Sequence, residues 1–168
     1  MIDLPHFYEF SVGRNFTSFF QKKMKSYKES NVLVDRGTND TNNGYQTPNL
    51  LQINEKDVND KLFYLKKRLE RKCGVKFEIH WAHMIEYEVS GSQNPHKHDH
   101  NEDYSVIVYL NSCEDGSTYF IMNEKRNVVS RILPERGHCV MFHSGIKHGA
   151  HPVSEEKQVL VLGLKCYD

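Results

Sequence analysis

The sequence predicts a mainly β (α+β) fold: a jelly roll of two antiparallel sheets packed face to face, with N-terminal helices buttressing the outside of one sheet. Three observations carry that expectation. Near residue 75 the apolar pattern changes from helical spacing to a succession of short strand-like runs. Turn signals at Ser90-Gly91, Asp115-Gly116 and Ser144-Gly145 separate several of those runs. The last run, Val159-Leu160-Val161-Leu162-Gly163-Leu164, is apolar on both faces and belongs in the middle of a sheet. A length of 168 residues suits one domain with a real core, divided into N-terminal helices and loop over 1–75 and a jelly-roll core over 76–168.

The elements follow in order. Residues 15–27 place Phe16, Phe19, Phe20 and Met24 at helical spacing with lysines opposite, an amphipathic helix. The run 36–44 is polar and rich in Asn, Thr and Gly, which predicts a mobile loop; over 36–45 it is long enough for a lid or substrate loop. Asn54 with Asp57 three residues on resembles a capping box. The helix it opens carries Val58, Leu62, Leu65, Leu69 and Cys73 on one stripe, ends at Gly74, and turns the basic face from Lys66 to Arg71 to solvent. Strands are predicted over 76–90, 92–98, 104–111, 117–122, 126–133, 138–143, 147–153 and 157–166.

Composition narrows the function classes. Basic and acidic residues balance at 22 each, so nothing points to nucleic acid as a partner. No apolar run is long enough to span a bilayer, and Met1-Ile2-Asp3-Leu4-Pro5 lacks the basic and apolar regions of a signal peptide. The expectation is a soluble, cytoplasmic chain without a membrane partner. Cys73, Cys113, Cys139 and Cys166 are widely spaced with no CxxC pair, which predicts reduced thiols, with Cys139 a small core residue.

The chemistry concentrates in His96-Lys97-His98-Asp99-His100. Imidazole nitrogens and carboxylate oxygens are the ligand types that hold a catalytic divalent metal such as iron, zinc or manganese. His96 and His98 are two apart and share one face of a regular strand. A second cluster, His143, His148 and His151, follows, and then a single Lys157, a cation suited to an anionic co-substrate. Two ligands from one strand and His148 from a later one leave open positions at a metal. His80 and His83 flank Trp81 and are expected half-exposed; Trp81 and Asn94 are candidate pocket walls, and His143 and His151 are either orienting neighbours or surface residues.

From Trp81 to Lys165 the chain resembles the Fe(II)/2-oxoglutarate-dependent dioxygenases on the prolyl-hydroxylase-like side, whose core is a double-stranded β-helix. The resemblance lies in Tyr87…Gly91…His96-x-His98, Val108-Tyr109-Leu110-Asn111, Gly116-Ser117-Thr118-Tyr119-Phe120, Pro134-x-x-Gly137-x-x-Val140-x-Phe142 and His148-Gly149-Ala150-His151-Pro152. It implies an enzyme that binds Fe(II), 2-oxoglutarate and O2, releases succinate and carbon dioxide, and hydroxylates a C–H bond of a protein, peptide or small-molecule substrate, such as a prolyl side chain. Lys157, nine residues after His148, falls where the family keeps the basic residue for the 2-oxoglutarate side-chain carboxylate. Tyr109 is then a phenol donor to the same carboxylate, and Tyr87 a lining residue.

The family carries His-x-Asp or His-x-Glu where this chain has His96-Lys97-His98. Three completions of the metal site stay open: His98 itself, Asp99 swung in through a bulge, or a shifted pair His100 and Glu102. His96-x-His98-x-x-x-Glu102 also resembles the first cupin motif, which keeps a cupin-type dioxygenase or isomerase as an alternative. A non-catalytic jelly-roll binding or structural module is the other.

Overall fold

Side-chain alternation along the strands sorts this chain into two cores on opposite faces of one curled sheet. The computed structural model describes residues 7–31, 35–36, 41–98, 101–126 and 128–167. The strands are β1 (Phe7–Ser11), β2 (Asp35–Arg36), β3 (Thr41–Gln46), β4 (Phe77–His96), β5 (Tyr104–Tyr109), β6 (Thr118–Asn123), β7 (Val128–Ile132), β8 (His138–His143), β9 (Lys147–Ala150) and β10 (Lys157–Cys166). The helices are α1 (Arg14–Glu29), α2 (Leu50–Ile53) and α3 (Lys56–Cys73). The strand order is β1-β8-β5-β10-β4-β9-β6-β7, with β3 added on β4 and β2 on β3. As its apolar faces predict, β10 is central, paired antiparallel with both β4 and β5.

The two runs expected on either side of Ser90-Gly91 are one strand. The early part of β4 pairs with β10, from Phe77 opposite Cys166 to Tyr87 opposite Lys157. Its end pairs with β9, with Gln93 opposite Ala150 and His96 opposite His148. Ser90-Gly91 bends the strand instead of reversing it. Ser90 has φ 71°, yet its N–H still donates to Val153 O at 2.7 Å, and Val153 N–H donates to Gly91 O at 3.1 Å. A Cβ at Gly91 would lie 2.6 Å from Asn43 O, so only glycine lets the neighbouring backbone close on the bend. One strand thereby passes from one layer of the curled sheet to the other.

The helices pack on one face. Phe16, Phe20, Met24, Leu62, Leu65 and Leu69 meet Ala82 and Met84 of β4, Val106 and Val108 of β5, Cys139 and Met141 of β8, and Leu160, Leu162 and Leu164 of β10. The alternate residues Ile85, Ile107, Tyr109, Val140, Phe142 and Val159 form a second cluster with Phe120 and Ala150 of the facing layer. The period-two pattern of β10 therefore reads helix layer, interior, helix layer, as expected for a strand buried on both faces. Cys139 is fully buried among the helix-facing residues.

Three expectations are corrected. The first part of the chain also supplies sheet: β1 pairs with β8, Phe7 opposite Phe142. The polar run 36–45 is not simply a loop, because Thr41–Gln46 forms an edge strand on β4, with Thr41 opposite Gln93 and Gln46 opposite Ile85. Asn and Gly are poor strand formers, so pairing with a long neighbour decides the conformation; residues 37–40, where the lid reading also falls, lie outside the described residues. Asn54 opens no capping box. It closes α2 in the left-handed conformation at φ 58°, and Glu55 stands at the N-cap of α3, its carboxylate held by Lys23 at 2.6 Å and by the Tyr27 hydroxyl at 2.5 Å.

The sorting of β10 is testable by truncation. Leu162→Ala should lower unfolding free energy by about 2–5 kcal/mol in denaturant titration, whereas Leu133→Ala, at a side chain 57% exposed, should change it by less than ~0.5 kcal/mol. Equal losses at the two sites would contradict the assignment of Leu162 to the helix-facing core.

Candidate metal centre

The pairing of His96 with His148 across β4 and β9 creates the site. Directly opposed residues in an antiparallel pair share a face, so both imidazoles point into the space between the layers. His98 follows two residues after His96, just past the end of β4, and its N–H donates to Ser144 O. One nitrogen from each of His96, His98 and His148 lies within 4.8 Å of the other two, a geometry that suits a single metal ion.

The rings are oriented for ligation. His148 Nδ1 is 2.9 Å from Ile146 O and His96 Nδ1 is 2.9 Å from Asn94 O. A carbonyl accepts only, so each Nδ1 carries the proton and each Nε2 presents a lone pair. Burial, and then the neighbouring His96, press the His148 imidazole down to about 3, which keeps it neutral at ordinary pH. Neutral imidazole is the form that binds metal. Phe142 stands edge-on to His148 with ring centroids 4.8 Å apart, and Trp81 lies 5.3 Å from the His98 ring. Ser144 fixes the stretch that carries His98. Its carbonyl accepts from His98 N–H at 3.0 Å, its hydroxyl donates to Glu102 O at 2.7 Å, and its N–H donates to Asp103 O at 3.0 Å.

A cavity of about 530 Å³ takes in the three histidines together with Lys157, Tyr87, Thr118, Ser105, Trp81 and Glu102. Lys157 is only 2% exposed. Its ammonium donates to Gly116 O at 2.7 Å and sits 4.7 Å above the centre of the Tyr87 ring. Among the described residues no carboxylate lies within ion-pair distance of it. Burial lowers this lysine to about 8. The charge of Asp115 acts on it from beyond contact distance, and a buried ammonium in contact with a carbonyl and a ring face but no carboxylate is costly. Ser105 Oγ, also buried in the cavity wall, has no hydrogen-bond partner among the described residues.

Most of the expected residues converge. His96, His98, His148, Lys157 and Tyr87 line one cavity, as do Trp81, His80 and His83. Tyr109 does not reach it directly: its hydroxyl donates to Thr118 Oγ1 at 2.6 Å, and Thr118 does line the wall. Asn94 is exposed, and its carbonyl, not its side chain, serves the site. His143 and His151 stay outside, beside Tyr104 and Tyr119. Asp99 and His100 lie outside the described residues. Sequence reasoning passed over Ser105, Thr118 and Ser144. The signal available for Ser105 and Thr118 was a hydroxyl on the interior-facing register of an apolar strand; Ser144 carried only its turn signal.

The family model described as the 2OG-Fe(II) oxygenase superfamily matches residues 67–163. Among solved structures, a prolyl-4-hydroxylase from Pseudomonas putida is similar with a TM-score of 0.73 at 14% identity, covering 97% of this chain and 94% of that one. A prolyl hydroxylase from Trichoplax adhaerens, in complex with a hypoxia inducible factor peptide, gives 0.73 at 15% identity over 95% and 83% of the two chains. HygX from Streptomyces hygroscopicus, with nickel and 2-oxoglutarate bound, gives 0.69 at 12% identity over 97% and 84%. No curated protein matches the chain. The structural likenesses establish the shared jelly-roll fold, as the strand pattern predicted. Among the described residues no helix is long and apolar enough to cross a membrane.

The buried Lys157 has a pH signature. Because its folded value lies near 8, below the ordinary lysine value of 10.5, the unfolded chain binds more protons between those values, and this group's cost to stability shrinks as pH rises through that window. Lys157→Met should therefore be more stable than the ligand-free parent by on the order of 3 kcal/mol near about pH 7, with the gap closing toward about pH 10. Denaturation midpoints of the two proteins across that range check it; a gap independent of pH contradicts it.

Proposed function

This chain belongs to the 2OG-Fe(II) oxygenase superfamily, and we propose on that premise that it hydroxylates a substrate C–H bond at iron held by His96, His98 and His148, with 2-oxoglutarate anchored on Lys157. The observation that carries the reading is the buried Lys157 ammonium, without a carboxylate partner among the described residues, in the same cavity as three convergent imidazoles. A dicarboxylate that chelates a metal at one end and needs a cation at the other matches both features.

The residues present suit the group. Three imidazole ligands leave metal positions open for a chelating co-substrate and dioxygen. When bound, iron and 2-oxoglutarate supply the oxidising chemistry, the co-substrate leaving as succinate and carbon dioxide. The rest falls to the protein. Lys157 neutralises the distal carboxylate. Thr118 Oγ1 accepts a hydrogen bond from the Tyr109 hydroxyl, which leaves its own O–H to donate into the cavity; Tyr109 thus acts through Thr118 and not as the direct donor. Ser105 Oγ offers a further unpaired hydroxyl. Ile85, Ile107, Val159 and Phe142 make an apolar wall that keeps water from the reacting atoms. Trp81, His83, Gln46 and Gln93 line the remainder, where the substrate would lie.

The substrate is a peptide or a small molecule, and a peptide-borne prolyl side chain is supported by the two prolyl hydroxylases among the similar structures. The comparisons lend no support to the cupin-type or non-catalytic readings.

Two measurements test this. Anaerobic addition of Fe(II) and 2-oxoglutarate should give the weak visible charge-transfer band of the chelate, and oxygen should then yield succinate; His148→Ala should lose both. Lys157→Ala should keep metal binding but need on the order of 100-fold more 2-oxoglutarate. For the parent, co-substrate affinity should fall by about tenfold per pH unit above about 8, because binding needs the protonated amine. Unchanged co-substrate affinity in Lys157→Ala would remove the anchor role.

A further inference from the structure

We propose that Glu102 is the carboxylate partner of His98, and that its negative charge, delivered through the imidazole, stands in for the acidic ligand that the family carries at this position. The inference rests on the functional reading above and deepens it by assigning a positioning residue that acts on the metal through another side chain.

The three imidazoles are not oriented alike. His96 and His148 each direct Nδ1 at a backbone carbonyl two residues earlier, Asn94 O and Ile146 O. A carbonyl fixes the ring but brings no net charge. His98 alone faces an acid: its Nδ1 lies 3.7 Å from Glu102 Oε1. The residue that replaces the family's carboxylate is therefore the one backed by a carboxylate.

Glu102 is placed for that role and for little else visible. Its side chain is only 7% exposed. Among the described residues no lysine or arginine pairs with it, and its other side-chain contact is the Asn101 N–H at 3.3 Å. A carboxylate buried this far is costly unless positive charge arrives, and a metal-loaded His98 would bring it. Glu102 lines the same cavity but is not among the groups that close to within 4.8 Å of one another at the metal position, which supports a place beside His98 and not a fourth ligand. Ser144 sets the separation, since one residue holds both the His98 N–H and the Glu102 carbonyl. A 3.7 Å contact exceeds hydrogen-bond length, so the influence begins as charge on a fixed ring. A carboxylate behind a ligating imidazole raises its basicity and locks its tautomer. Two imidazoles with an acid and three imidazoles differ by one unit of charge at the metal; Glu102 returns that unit one ring removed.

The test is Co(II) binding to the metal-free protein, followed by absorbance with a competing chelator, for the parent, E102Q, E102D, H98D and the double variant H98D/E102Q, with H148A as control and folding checked by circular dichroism. E102Q should bind Co(II) about 10–100-fold more weakly, and E102D, which keeps the charge, should recover most of the loss. In the H98D background, where the ligand itself supplies the acid, E102Q should cost nothing or tighten binding. Three results overturn the assignment: parental affinity in E102Q, the same loss in both backgrounds, which marks a merely structural role, or a loss in E102Q as deep as in H148A that E102D does not recover, which marks direct ligation. If H148A itself binds Co(II) like the parent, the metal-centre reading fails, and this proposal with it; the other outcomes touch Glu102 alone.

Discussion

The site depends on β4 remaining one strand through its bend at Ser90-Gly91. Before the bend, Tyr87 stands opposite Lys157 on β10; after it, His96 stands opposite His148 on β9. The two ends of the cavity are thus fixed to one covalent backbone a few residues apart. Were the chain to reverse at Ser90-Gly91, as its turn signal suggests, the cation and the imidazoles would sit on unrelated elements. The bend survives because hydrogen bonds to Val153 continue the ladder through it, and because Gly91 admits the Asn43 carbonyl where a side chain would collide.

Electrostatics follow from that frame. One wall carries a buried ammonium whose contacts among the described residues are a carbonyl and a ring face; elsewhere in the same cavity are three imidazoles, of which His148 is held neutral by burial. The arrangement is unfavourable for an empty cavity and favourable for one filled by a dianion and a divalent metal. Functional sites often carry such unbalanced groups, which cost stability in the absence of the ligand. The acid at Glu102 fits the same logic, because it is close to the imidazole that departs from the family pattern.

Much of the site was legible because strand geometry is periodic. His96 and His98 at spacing two share a face, and the order His96, His148, Lys157 along the chain matched an architecture in which those strands meet. The oriented hydroxyls were harder to see. Thr118 and Ser105 look like ordinary strand residues until the facing layer is in place, and Tyr109 is turned to Thr118 by packing that no local pattern announces. The edge strand Thr41–Gln46 was illegible for a related reason: its Asn and Gly residues favour turns, and only pairing with β4 makes it extended.

The sequence by itself determined the fold class, the burial of the last strand on both faces, the helical stripe of Val58, Leu62, Leu65 and Leu69, and the residue types able to hold metal and anion. These depend on local periodicity and on side-chain chemistry, which the order of residues contains in full. The tertiary structure decided which histidines meet, that the Asn94 carbonyl faces His96 Nδ1 and the Tyr109 hydroxyl faces Thr118, and that Lys157 is buried with no carboxylate in ion-pair contact among the described residues. It also placed the Glu102 carboxylate 3.7 Å from His98 Nδ1. Those outcomes depend on register between strands far apart in the chain, and a one-residue shift in pairing would turn every one of these side chains to the other face.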